Sequence, residues 1–129
     1  VTDLLAAFPD VEAEVLPVVL AGIQGATVGT ETPASFDRYI RALRTGGTDD
    51  GITDSPIVAV TTYAPSRAES MAMTAEAARR IRAAAATTAG GVLIDYTSVY
   101  TGPLEQPDQN PDIRAVTTYY VIEYRRPRG

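Results

Sequence analysis

Histidine, cysteine, tryptophan and lysine are all missing from this 129-residue chain. General acid–base catalysis near neutral pH draws most often on histidine, and covalent or metal chemistry on cysteine, histidine or lysine. Their joint absence weighs against a reactive centre and favours a function carried by surface shape and contacts. The expectation is therefore a protein that is not an enzyme and takes no cofactor. No apolar run reaches the about 18 residues of a membrane span, and no basic-then-apolar leader is visible, so a soluble, intracellular protein with no membrane partner is expected.

With lysine absent, all 11 positive charges are arginines, set against 16 acids for a net charge of -5. That balance opposes general binding to nucleic acid, because phosphate affinity needs concentrated positive charge; passage close to DNA without sticking stays open. The arginine-only usage fits a GC-rich genome as well as a demand for planar, bidentate contacts. A hydrophobic share of 45% with 21% charged residues is ordinary for a folded protein. One domain over residues 1–129 is expected, large enough to bury about two thirds of its unfolded surface.

Periodicity supplies the elements. Residues 10–21 place Val11, Val15, Val18 and Val19 at helical spacing behind Asp10, Glu12 and Glu14, acids that a helix start favours. Pro17 is expected to bend this helix and Gly22 to stop it. Residues 25–30 and 36–44 alternate as strands and are expected to form a hairpin. The second of them carries arginines on both faces, which suggests a partner or an edge position. Residues 45–55, with three glycines and three aspartates, are expected to be an acidic loop. Residues 57–63 have the valine and threonine content of a central strand. A capping box at Ser66 and Glu69 opens a second helix, with Ala68, Met71, Ala75, Ala78, Ile81 and Ala85 as its apolar stripe and Glu76, Arg79 and Arg80 on the outer face. Gly90 and Gly91 are expected to end it. Residues 92–101 and 113–126 read as tyrosine-rich strands paired antiparallel, the second with Val116, Tyr120, Ile122 and Tyr124 on one face and Tyr119 and Val121 on the other. The proline-bearing connector 102–112 is too long for a tight turn and is expected to project as a stiff arm. The class that results is α+β, a mixed or antiparallel sheet of about five strands packed with two helices in the order α-β-β-β-α-β-β.

Specific chemistry finds little support. Gly22, Gly25 and Gly29 follow a helix at the wrong spacing for a dinucleotide fingerprint, and no phosphate loop is present. A calcium loop begun at Asp49 or Asp50 would put Val60 or Thr61 where a bidentate glutamate is required. Ser66 and Ser98 have no histidine or lysine to activate them. Asp95 with Glu105 is one arbitrary pair among many for glycoside chemistry. Arg125, Arg126 and Arg128 form a small basic end that suits a solvated tail.

What stands out is an ordered series of short motifs. Phe8-Pro9-Asp10-Val11-Glu12 opens a helix, Arg44-Thr45-Gly46-Gly47 closes a strand, and Asp54-Ser55-Pro56-Ile57-Val58-Ala59-Val60 leads into the central strand. An alanine-rich helix follows, then Thr101-Gly102-Pro103 and Asn110-Pro111-Asp112-Ile113-Arg114 before a last aromatic strand. In this order, over nearly the whole chain, the series resembles the tail terminator proteins of long-tailed phages, particularly those of actinobacteria. The resemblance implies a homo-hexameric ring in the virion, at the junction of head and tail. Such a ring caps the tail tube protein, stops tube growth, meets a head completion or connector protein, and passes DNA through its lumen without specific binding. On that footing the expected contact residues are Arg38, Arg41 and Arg44 on the strand, Asp49, Asp50 and Asp54 in the loop, and the arm from Gly102 to Arg114 with Pro103, Glu105, Pro107, Asp108 and Pro111. Two rivals are another head–tail connector subunit, an adaptor or stopper, and a small ligand-binding or enzymatic α+β domain.

Overall fold

The computed structural model describes residues 10–31, 33, 37–49, 53–106 and 112–125. Asp10 starts the helical layer: its carboxylate accepts from the backbone N–H groups of Glu12 at 3.0 Å and Ala13 at 3.3 Å, donors that a helix start leaves unsatisfied. A π-helical turn, Val11–Val15, comes first and a short α-helix, α1 (Leu16–Val19), follows. Pro17 accounts for this break in the expected single helix. It has no N–H to offer, and the Leu16 N–H reaches the Val11 carbonyl, widening the turn just ahead of the proline. Val11, Val15, Leu16, Leu20 and Ile23 are buried.

The strands are β1 (Thr27–Gly29), β2 (Tyr39–Asp49), β3 (Thr53–Ala64), β4 (Thr88–Ala89), β5 (Val92–Gln106) and β6 (Arg114–Arg125), in spatial order β1-β2-β3-β6-β5-β4. The long helix α2 (Arg67–Ala83) joins β3 to β4. The α+β class and its two helices match the expectation; the sixth strand is β4, too short to carry a period. β3 lies inside the sheet, and β5 and β6 pair antiparallel. Tyr120, Ile122 and Tyr124 of β6 are buried against the helices, beside Val58 and Val60 of β3 and Ile40 and Ala42 of β2.

Three segments depart from the sequence reading. The expected hairpin between 25–30 and 36–44 is replaced by parallel pairing, with Thr27 beside Tyr39 and Gly29 beside Arg41. Side chains hold the return: the Tyr39 hydroxyl donates to the Glu31 carbonyl and Arg41 Nε to that of Thr30. Gly29 makes room, since a Cβ there would lie 2.2 Å from the Tyr39 hydroxyl. Next, 45–49 and 53–55 are strand and not loop, because β2 runs to Asp49 and β3 begins at Thr53, with Gly46 opposite Ile57 and Asp49 opposite Asp54. Gly46 follows a bulge at Thr45, and Gly47 is left-handed at φ +103°. Last, 102–106 extends β5 along β6 instead of projecting, Leu104 lying opposite Thr117. Register shifts take up Gly102 and Pro103, so prolines that signal a connector here mark an irregular strand. Residues 107–111 of the expected arm lie outside the described residues.

The capping box of α2 is present, Ser66 Oγ accepting from the Glu69 N–H at 3.2 Å and donating to Glu69 Oε2 at 3.0 Å. Of the expected stripe Ile81 is buried, but the rest of the buried face is Ser70, Met73, Thr74 and Ala77. Alanines occur all round this helix, so its period is weak, and hydroxyls settle the orientation. Ser70 Oγ donates to the Arg114 carbonyl at 2.6 Å, the Thr62 and Thr74 hydroxyls meet at 2.8 Å, and Thr97 Oγ1 donates to the Ile81 carbonyl at 2.9 Å. The helix ends at Ala83, and Gly90 and Gly91 form the turn between β4 and β5.

Candidate functional site

The most concentrated polar arrangement lies across three neighbouring strands. Asp54 of β3, 1% exposed, accepts from Arg44 of β2 through both guanidinium ends, at 2.7 and 2.9 Å, and from the Tyr124 hydroxyl of β6 at 3.0 Å. Hydrogen bonding to Asp54 raises the Arg44 guanidinium above its ordinary range, and burial beside that carboxylate pushes the Tyr124 phenol well above a free tyrosine. Both acceptor oxygens are engaged, so the cluster is built to fasten strands; it offers a substrate no open acid or base.

The other residues singled out from sequence divide by location. Arg38 ion-pairs with Glu69 at the start of α2 and sits 3.5 Å from Asp37, and the Glu69 carboxyl is held below its ordinary range by Arg38 first and by Ser66 after it. Arg38 and Arg44 thus stand at the two ends of the helix-covered face, with buried Ile40 and Ala42 between them. Arg41 points to the opposite face and bonds the Thr30 carbonyl at 3.1 Å. Asp49 closes β2 and is exposed. Glu105, exposed on β5, accepts from Arg67 Nε at 2.9 Å. Pro103 and Arg114 are exposed on β5 and β6. Asp50, Pro107, Asp108 and Pro111 lie outside the described residues. The eight that are described do not form one cluster.

Asp95 and Glu105 stand near opposite ends of one strand, a separation of about 30 Å at the ordinary strand rise and far beyond the about 5–9.5 Å of a glycosidase pair. Among the described residues, no group of three His, Cys, Asp or Glu is placed to hold a metal ion. Among the described residues, no helix is long and apolar enough to cross a membrane.

A run of exposed apolar side chains on one strand is not legible in the sequence pattern. Leu93 (55% exposed), Tyr96 (52%), Val99 (40%), Tyr100 (61%) and Leu104 (44%) all belong to β5. β4 covers Val92 and Leu93 of its outer side, and the backbone of Ala86 and Thr87 bonds Ile94, so among the described residues the strand beyond Ile94 is an open edge. A long apolar edge is a template for pairing with another chain. The tyrosine content was a signal, but sequence pattern does not say which of two aromatic strands ends a sheet. Beside this edge, α2 and β5 border a groove of about 300 Å³ whose lining includes Met71, Arg82, Val99 and Pro103. Thr118 and Tyr120 also line it.

No curated protein matches the chain. The family described as "Phage tail termination protein" matches residues 7–129. With a match that spans every described element of the sheet and both helices, the chain belongs to the phage tail termination protein family.

Proposed function

We propose that this tail termination protein acts as a ring of six copies seated on the end of the tail tube. There it stops tube growth and offers its far side to a head completion or connector protein, at the head–tail junction of the virion. The observation that carries the ring is the open edge of β5 with its exposed tyrosines, valine and leucines, a surface suited to burial between subunits. Closed rotational symmetry gives such an edge a partner in every subunit and leaves none exposed. The net charge of -5 suits a conduit through which DNA slides without being held, since like charge repels phosphate.

Within this reading Arg41, Asp49, Pro103, Glu105 and Arg114 are contact residues, together with Asp50, Pro107, Asp108 and Pro111. Arg38, Arg44 and Asp54 support them by bracing the strands that carry the surface. Adding the purified protein to polymerising tail tube protein is expected to yield tubes of arrested length with a ring at one end. Tubes that lengthen at the same rate with and without it would refute the proposal. Arg41→Glu is expected to lower ring yield, and an unchanged yield would remove Arg41 from the contact.

A further inference from the structure

Resting on the ring reading, we infer that its subunits join edge to edge, β2 of one copy adding to β5 of the next so that the sheets run on from subunit to subunit. Three features of the sheet lead there.

The first is direction. β2, β3, β6 and β5 alternate, each antiparallel to its neighbour, so β2 and β5 at the two ends of this four-strand set run opposite ways. A rotation about an axis roughly along the strands preserves direction, and it brings β5 of one copy against β2 of the next as an antiparallel pair, the more stable kind.

The second is height. Following the pairings across the sheet, Gly46 lies in line with Ile57, Val121 and Ser98, and Arg44 with Val58, Tyr120 and Val99. Asp49 lies in line with Asp54, Tyr124 and Ile94. The short outer strands cover opposite corners: β1 shields Tyr39 to Arg41 of β2, and β4 shields Val92 and Leu93 of β5. What is left open is 42–49 on one edge, save the Arg44 N–H that Glu12 takes, and 95–106 on the other, Ile94 being bonded to Ala86 and Thr87; the two share rows from Gly46 with Ser98 to Thr48 with Tyr96. The stretches free of bulges, 46–49 and 96–99, coincide as well.

The third is chemistry. β5 presents Tyr96, Val99 and Tyr100, each 40% exposed or more, along the stretch left open. On the helix side, the incoming strand would close the mouth of the groove beside Val99. The junction commits to a second copy of this chain, joined by backbone hydrogen bonds with exposed apolar side chains packing beside them.

Because the chain has no cysteine, introduced pairs read out the junction without background. Same-row residues of adjacent antiparallel strands lie within the Cα spacing, about 4.4–6.8 Å, that a disulfide spans. Gly46→Cys with Ser98→Cys and Thr48→Cys with Tyr96→Cys are two such pairs; a Cβ at Gly46 meets nothing within 4 Å. Thr48→Cys with Leu104→Cys is the out-of-row control. Each double variant is assembled with tail tube protein, oxidised mildly, and followed by denaturing gel and by mass under native conditions. The expected result is a covalent ladder ending at the ring for the two row-matched pairs and monomer for the control. Rings of the right mass without cross-links at either matched pair would overturn the edge junction and leave the ring standing. No ring with or without tube would overturn both.

Discussion

Replacing Asp54 by alanine strips the acceptors from three donors at once and tests whether the β2–β3–β6 fastening is what holds the sheet centre. The loss is unequal among the donors. Arg44 has a side chain 35% exposed and can turn toward water, so its contribution is discounted toward the about 1 kcal/mol of an exposed pair. Tyr124 is 0% exposed; its hydroxyl would lose the carboxylate it donates to, costing about 1–3 kcal/mol. Together these give about 3 kcal/mol, the lower end of what breaking a buried pair costs. Tyr124→Phe alone should cost about 1.5 kcal/mol, one hydrogen bond to a charged group. The double variant should fall short of the sum by about 1 kcal/mol or more, because that hydroxyl is gone. Urea unfolding followed by circular dichroism, at one fixed low protein concentration, measures all three, with a shifted midpoint and unchanged slope expected. An Asp54→Ala protein within about 0.5 kcal/mol of the parent, the scale of ordinary surface changes, or strict additivity in the double variant, would show that the cluster carries no such weight.

Gly47→Ala should destabilise by about 2 kcal/mol or more, since φ is +103° and the new Cβ would fall 2.2 Å from the Ser55 carbonyl oxygen; the same substitution at Gly46, where space is open, should cost far less, and equal melting temperatures would contradict the bulge geometry. Acid should also erode stability through Glu69 and Glu76, whose carboxyls lie below the ordinary 4.5 by virtue of Arg38 and Arg79. A depressed folded pKa means the contribution is whole above about 4.5 and lost as pH falls through the lower folded value. Glu69→Gln with Glu76→Gln should therefore flatten the pH dependence of the melting temperature below pH 4.5, and an unaltered slope would exclude both groups as its source.

Where side-chain chemistry is local, the sequence was legible. Ser66 with Glu69 predicts a helix start and makes one, and the alternation along β6 predicts its buried tyrosines. The ordered motifs also led to the right family, which residues 7–129 match. Misreadings came where a residue has two physical uses. Glycine marks loops and also bulges, so Gly46 and Gly47 were taken for the former. Alanine packs on any side of a helix, so the stripe through Ala68 and Ala75 missed the hydroxyl-bearing face of Ser70 and Thr74. Direction of pairing is set by distant contacts, and nothing near 25–30 announces that β1 runs parallel to β2. For the contact residues, sequence supplied charges but not their commitments: the partners of Arg38 and Arg44 lie 31 and 10 residues away. Exposure of β5 depends on its being near the end of the sheet, a property of the assembled fold.

The hydroxyls that attach α2 to the sheet have one more consequence. A seam of methyl groups lets two layers creep past each other at little cost, whereas the contacts from Ser70 to the Arg114 carbonyl, Thr74 to Thr62, and Thr97 to the Ile81 carbonyl are directional pins at successive points along the helix. Pinned at both ends and in the middle, α2 cannot roll or slide without breaking them. A push delivered to its outer face therefore reaches β3, β5 and β6 as displacement of the whole body, the behaviour of a rigid wedge.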